Sequence, residues 1–174
     1  YFKEKDFSVY QNPLIEFIYE LGSVLKPITM ASAVNEGLVG PNTTYNDSGE
    51  AKFGSYVIKN FDGKAYHIQT MTQVLEKSLN TGAVYVARQL GKERHHDYLK
   101  RFGFGEISGI DLPGEVPGDL SNLNSRRDID FATASFGQGI AVTPLQMALA
   151  MGAIANGGKL MRPYVVDKII DDSG

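Results

Sequence analysis

The sequence predicts a globular domain dominated by helices, with a strand-like run near its end. Three observations carry this: an almost wholly apolar segment at 23–36, a second at 144–156, and a single strand-like run at 160–170. The 174 residues make about one domain and suffice for a real core. Hydrophobic content of 43% and 21% charge belong to an ordinary globular protein. A net charge of -3, with no basic cluster, offers nothing to a polyanion such as nucleic acid. The absence of cysteine excludes disulfides and thiol chemistry and agrees with an extracytoplasmic site. These residues read as holding neither a signal peptide nor a membrane span. The longest near-apolar stretch, Pro144–Ala155, falls well short of the roughly 20 residues a span needs. The chain opens at Tyr1 and stops at Asp171-Asp172-Ser173-Gly174 after the strand-like run, so it is expected to be an internal piece of a longer protein.

Residues 1–18 mix Phe, Tyr and charge without periodicity and are expected along the edge of a cleft. The first helix starts near Ser23. Pro27 suits a first turn, where a missing N–H is tolerated, and Gly37 is a good terminator. Val24, Leu25, Ile28, Met30, Ala31, Ala33 and Val34 leave it almost no polar face, which predicts a core helix. Its polar exceptions, Ser23, Lys26, Thr29 and Ser32, recur every three residues and predict a narrow buried seam. Residues 38–64 read as loop with short extended pieces. Thr70 and Gln73 form a capping box for a helix over 71–77. Ser78-Leu79-Asn80 interrupts it, Thr81 caps a helix to Leu90, and Lys92–Phe102 is another, each stopped by a glycine. Residues 103–121, rich in Gly and Pro, form an ordered loop. Thr143, Pro144 and Gln146 open the apolar helix that runs to Asn156.

Ser23 stands three residues before Lys26, and residues three apart on a helix are neighbours, about 5–6 Å between Cβ atoms. A serine hydroxyl is a poor nucleophile until a base takes its proton. A lysine becomes such a base when burial disfavours its charge. A lone Ser-x-x-Lys arises readily by chance, as does Ser-x-Asn, and a capping serine beside a snorkelling lysine would explain the first. Two features favour chemistry. Lys26 lies in a helix otherwise fit only for a core, where a charge is costly. Ser78 and Asn80 fall in a break between two helices, where their side chains can face a cleft.

The words around these pairs resemble the penicillin-binding transpeptidases and serine β-lactamases, whose Ser-x-x-Lys, Ser-x-Asn and Lys-Thr-Gly groups form one site. GSVLKPITMASAVNEGLV at 22–39 resembles their nucleophile helix, and SLNTGAVYVARQLG at 78–91 the second group with its following helix. GFGEISGIDLPGE at 103–115 and ASFGQGIAVTPLQMALAMGAIANGGKLMRPYVV at 134–166 look like the class B branch, the monofunctional peptidoglycan transpeptidases. The resemblance runs from Tyr19 onward. It departs at Leu21, where the family usually has proline, and in the absence of Lys-Thr-Gly from these residues.

The resemblance implies a serine β-lactamase/transpeptidase-like α/β fold, here a partial domain over 1–174 holding mostly its helical subdomain, few or no sheet strands, and exposed apolar faces. It implies Ser23 as nucleophile, Lys26 as candidate base, Ser78 as proton carrier to the leaving amine, and Asn80 as the group that orients Lys26 and the donor amide. The implied partners are stem peptides ending in D-Ala-D-Ala, an acceptor amine, β-lactams, and membrane-bound cell-wall synthesis proteins. The implied location is outside the cytoplasmic membrane, anchored through a segment not among these residues; no cofactor or metal is implied. One oxyanion donor is expected from the Ser23 N–H and the other from the Lys-Thr-Gly strand. A β-lactam sensor or a silent scaffold homologue is the alternative. A β-lactamase or carboxypeptidase is disfavoured, because no carboxylate can be assigned to activate water.

The remaining features are expected to be structural. His95 and His96 point in different directions and belong to a polar surface with Glu93 and Asp97. His67 sits in a short strand without partners. Gly103, Gly105 and Gly109 are turn glycines, and Gly157-Gly158-Lys159 lacks the rest of a phosphate loop. The glycosylation words at Asn42 and Asn46 carry little weight, and Asp171 and Asp172 are expected in solvent.

Overall fold

A computed structural model describes residues 7–170. After a 3-10 turn at Phe7–Tyr10, the elements are α1 (Pro13–Glu16), β1 (Tyr19–Glu20), a 3-10 turn (Gly22–Leu25), α2 (Lys26–Asn35), β2 (Thr44–Asp47), β3 (Glu50–Phe53), β4 (Tyr56–Lys59), β5 (His67–Thr70) and α3 (Met71–Glu76). There follow α4 (Asn80–Leu90), α5 (Lys92–Arg101), a 3-10 turn (Ser121–Asn124), α6 (Asp128–Ala134), β6 (Ala141–Val142) and α7 (Pro144–Ala155). The strands pair into three two-stranded antiparallel ribbons, β1–β6, β2–β5 and β3–β4. No described helix is long and apolar enough to cross a membrane.

Helix α2 is the hub. Leu25 and Ile28 pack with Phe104, Ile140, Val142 and Ala150 in one core cluster, while Met30 and Ala33 join Tyr45, Val74, Leu79 and Val86 in a second. Beyond Ser23, which is exposed, the polar seam is buried and partnered. Thr29 Oγ1 donates to the Ser135 carbonyl at 2.9 Å, and Ser32 Oγ donates to the Ile28 carbonyl at 2.8 Å. Contrary to the expectation of a helix buried all round, Val24 and Val34 are 50% and 45% exposed, and with Pro27 and Ala31 they form one outward apolar stripe. Ala31 and Val34 line a groove of about 360 Å³ whose other wall includes Tyr98, Phe102, Ile154 and Leu160.

Both predicted capping boxes form, Thr70 with Gln73 and Thr143 with Gln146. Gln146 does more than close its own helix. Its buried amide donates to the carbonyls of Gly103, Glu106 and Pro117 at 3.3, 2.8 and 2.8 Å, which gives the glycine- and proline-rich loop its order. Thr81 does not cap α4, which starts at Asn80 with Leu79 as its cap; the threonine hydroxyl donates instead to Asp47 at 2.7 Å.

Three further expectations are corrected. Residues 160–170 form no strand, because the Val165 and Val166 N–H groups donate to the Asp111 carboxylate at 2.6 and 2.7 Å rather than to a neighbouring strand. Against the expectation of few or no sheet strands, six short ones form among the described residues, three of them where short extended pieces were expected at 38–64. His95 is 1% exposed, not a surface residue; with Tyr98 and Leu99 it forms the inner face of α5. It packs edge-on against Phe131, and its Nε2 lies 3.3 Å from Thr29 Oγ1. Since that hydroxyl gives its proton to Ser135, it accepts from Nε2–H, and burial holds the ring neutral, with its pKa lowered to about 4. His67 does lie in a strand, β5, exposed and with a φ of 59°. Tyr1, Asp171 and Asp172 lie outside the described residues, as do the first six of residues 1–18.

Candidate active site

Ser23 is the second residue of the 3-10 turn that leads into α2, and it is exposed. First-turn amides of a helix have no partner within it, so the Ser23 N–H can serve an incoming oxygen, with the helix dipole behind it. The position of this turn is set from the far end of the chain. Tyr19 pairs with Val142 and Glu20 with Ala141, and Gly22 N donates to Gly137 O at 2.9 Å. Gly137 has a φ of 80°, and a Cβ there would stand 2.3 Å from the Gly22 oxygen. Only glycine allows so close an approach.

Lys26, the first residue of α2, is 3% exposed. Its amine donates to the Ser78 carbonyl at 2.6 Å, Ser78 Oγ at 3.0 Å and Asn80 Oδ1 at 2.8 Å. All three acceptors are neutral, and burial lowers the amine's pKa to about 8. The anticipated contact with Ser23 is not among these bonds. A lysine ammonium has three hydrogens and no lone pair, and all three are engaged across the groove. Ser23 instead shares one groove of about 490 Å³ with Ser78 and Asn80, walled by Phe136 and Gln138 and overhung by the fully exposed Phe61.

The α3–α4 junction presents Ser78. Its N–H donates to Leu75 O at 3.2 Å, and the next N–H, that of Leu79, donates to Val74 O at 2.9 Å, the two bonds of a Schellman helix end. That motif needs a left-handed residue, usually glycine, and Ser78 fills the place with a φ of 53°. Buried Leu79 then pins the turn to the core, leaving Ser78 and Asn80 half-buried beside Lys26. Asn80 is held at both ends of its amide: Oδ1 receives the lysine, and Nδ2 donates to the Lys59 carbonyl at 2.9 Å.

Sequence reasoning missed the support beneath this site. Asp47 is fully buried and accepts four hydrogen bonds, and Asn60 links it to the segment that touches Asn80. The only local signal was Asp-Ser-Gly, a turn word that the glycosylation reading had overlaid.

Comparison with known proteins gives the same arrangement a lineage. Residues 1–173 match the family described as the penicillin binding protein transpeptidase domain. Stage V sporulation protein D of Bacillus subtilis is 38% identical over 172 residues, covering 98% of this chain and 27% of that protein. The peptidoglycan D,D-transpeptidase FtsI of Escherichia coli K12 is 33% identical over 159 residues, covering 91% of this chain and 26% of that protein. The crystal structure of penicillin binding protein 3 from Mycobacterium tuberculosis complexed with aztreonam superposes with a TM-score of 0.86 at 30% identity, covering 94% of this chain and 36% of that one. The chain thus spans about a quarter of the length of the curated relatives it matches. On its motifs, its fold and its relatives, this chain belongs to the penicillin-binding transpeptidase family, in the company of the class B proteins.

Proposed function

We propose that the protein carrying this chain is a peptidoglycan D,D-transpeptidase that cross-links stem peptides through an ester on Ser23. The observation that supports it most is the buried Lys26 amine, which has no carboxylate among its hydrogen-bond partners and is held by Ser78 and Asn80, two residues that line a groove together with Ser23. Ser23 Oγ attacks the carbonyl carbon between the two terminal D-alanines while its proton passes to Lys26 in the neutral form. The tetrahedral oxyanion rests against the Ser23 N–H. As the C–N bond breaks, Ser78 Oγ gives a proton to the departing D-alanine nitrogen and recovers one from Lys26, 3.0 Å away. The amine of a second stem peptide then attacks the ester, loses a proton along the same relay, and frees Ser23. Asn80 keeps Lys26 aimed and offers its amide to the donor peptide.

A β-lactam enters as a donor mimic whose acyl group stays attached. The substrate places the reaction outside the cytoplasmic membrane, with anchoring and membrane-bound cell-wall partners supplied by other parts of the protein. The test is labelling of the full chain with fluorescent penicillin. Ser23→Ala is expected to abolish covalent labelling and cross-linking of a D-Ala-D-Ala donor to an amine acceptor. Persistence of the label in that variant would overturn the assignment.

A further inference from the structure

Asp47 ends β2, 31 residues ahead of Ser78 in the chain, and touches none of the groups assigned a chemical role. Yet its carboxylate is buried, and both oxygens are fully used. Oδ1 accepts from Gly49 N at 2.9 Å and Thr81 Oγ1 at 2.7 Å; Oδ2 accepts from Asn60 Nδ2 at 2.8 Å and Tyr66 N at 3.0 Å. These donors come from the β2–β3 turn, the ends of β4 and β5, and the first turn of α4. A buried carboxylate is costly unless so satisfied, and once satisfied it holds its donors in one arrangement.

The consequence lies at the peptide unit joining Lys59 to Asn60. Its N–H donates to Gly49 O at 3.3 Å, and the Asn60 side chain adjoining it is held by Asp47 on Nδ2 and by the Thr81 N–H, at 3.3 Å, on Oδ1. The carbonyl of that unit accepts from Asn80 Nδ2. An asparagine amide can sit either way round, with its oxygen or its NH2 group toward a neighbour. A carbonyl fixed opposite Nδ2 selects the orientation that turns Oδ1 toward Lys26. Without it, the NH2 group could face the lysine amine, and a donor would meet a donor.

We propose that Asp47 is a positioning residue for the acyl transfer, acting through Asn60 and the Lys59 carbonyl to set the Asn80 amide that aims Lys26. The inference rests on the functional reading above, with Lys26 as base. Asp47→Asn puts an NH2 group where donors already converge, and Asn60→Ala removes the link while leaving the carboxylate its other three donors. A displacement of about 1 Å at a reacting group can cost 10²-fold in rate.

The experiment follows acylation of the full chain by fluorescent penicillin, separating the first-order acylation constant, the dissociation constant of the prior complex, and the fraction of enzyme labelled. Asp47→Asn and Asn60→Ala are each expected to slow the acylation constant about ten- to a hundredfold, with the labelled fraction nearly unchanged. The double variant should be no slower than the slower single one, since both break one chain of contacts. A reduced labelled fraction with an unchanged acylation constant would show Asp47 to be a folding residue only and overturn the proposal. Losses that multiply in the double variant would overturn it as well. Should Asp47→Asn fail to fold, Asn60→Ala decides by the same two readouts. Failure of the unsubstituted chain to label at Ser23 would instead sink the functional reading itself.

Discussion

The base role proposed for Lys26 requires its hydrogen bonding to change. As an ammonium it spends three hydrogens on Ser78 and Asn80; as a free amine it has two hydrogens and a lone pair, and a serine hydroxyl can then donate to it. Burial places the crossover at about 8, below the usual 10.5 of lysine, so the reactive form grows as pH rises toward that value. We therefore expect penicillin acylation of the full chain to rise about tenfold per pH unit below the crossover and to level off above it. Lys26→Arg cannot lose its proton and should reduce acylation by about 10²–10⁴-fold at every pH. A flat profile between pH 6 and 9 would remove Lys26 from the role of base. Residues of this kind were legible in the sequence, since a charge in an apolar helix contradicts its surroundings. His95 was not: flanked by Arg94, His96 and Asp97 it reads as solvated, and only the i, i+3, i+4 face it shares with Tyr98 and Leu99 shows otherwise.

The α3–α4 junction combines a structural need with a chemical one. The Schellman bonds require a left-handed residue, and an L side chain there costs about 1–2 kcal/mol. The serine in this strained place brings its hydroxyl to 3.0 Å from the Lys26 amine. Replacing Ser78 by Gly or by Ala removes the hydroxyl in both cases, but only Ala keeps the strain. Ser78→Gly should therefore be more stable than Ser78→Ala by about 1 kcal/mol in denaturant unfolding, while both lose transpeptidation to a similar degree. Equal stabilities would show that the left-handed turn carries no cost here. Elements with local signals were readable from sequence: both capping boxes, the breaks at Gly91 and Gly103, and the interruption at 78–80 lie within a few residues of what they control. Pairing is not local. Thr44–Asp47 becomes a strand because His67–Thr70 returns beside it, and 160–170 fails to become one because its amides are taken by Asp111.

At the scale of the molecule, the fold braces the candidate site well. The nucleophile turn, the lysine and the Ser78–Asn80 junction are cross-braced by β6, Gly137 and the Asp47 cluster, so their geometry depends on contacts among residues 7–170. Two things the chemistry asks for are not supplied by these contacts. In the proposed reaction the oxyanion has one donor assigned among the described residues, the Ser23 N–H, and the family's Lys-Thr-Gly group does not occur in the 174 residues. The apolar stripe of Val24, Pro27, Ala31 and Val34 also runs along the nucleophile helix itself, so solvent reaches the back of the element that holds Ser23. Loss of one oxyanion donor costs on the order of 10²–10³ in rate. Expressed by itself, the 174-residue segment should keep its helical circular dichroism, because both core clusters around α2 close within it, and should bind a hydrophobic dye at the open stripe. Its acylation by fluorescent penicillin should be slower than that of the full chain by at least the cost of the missing donor. Stoichiometric labelling of the isolated segment at the rate of the full chain would show that Ser23, Lys26, Ser78 and Asn80 suffice, and that the oxyanion finds its second donor among the residues already described.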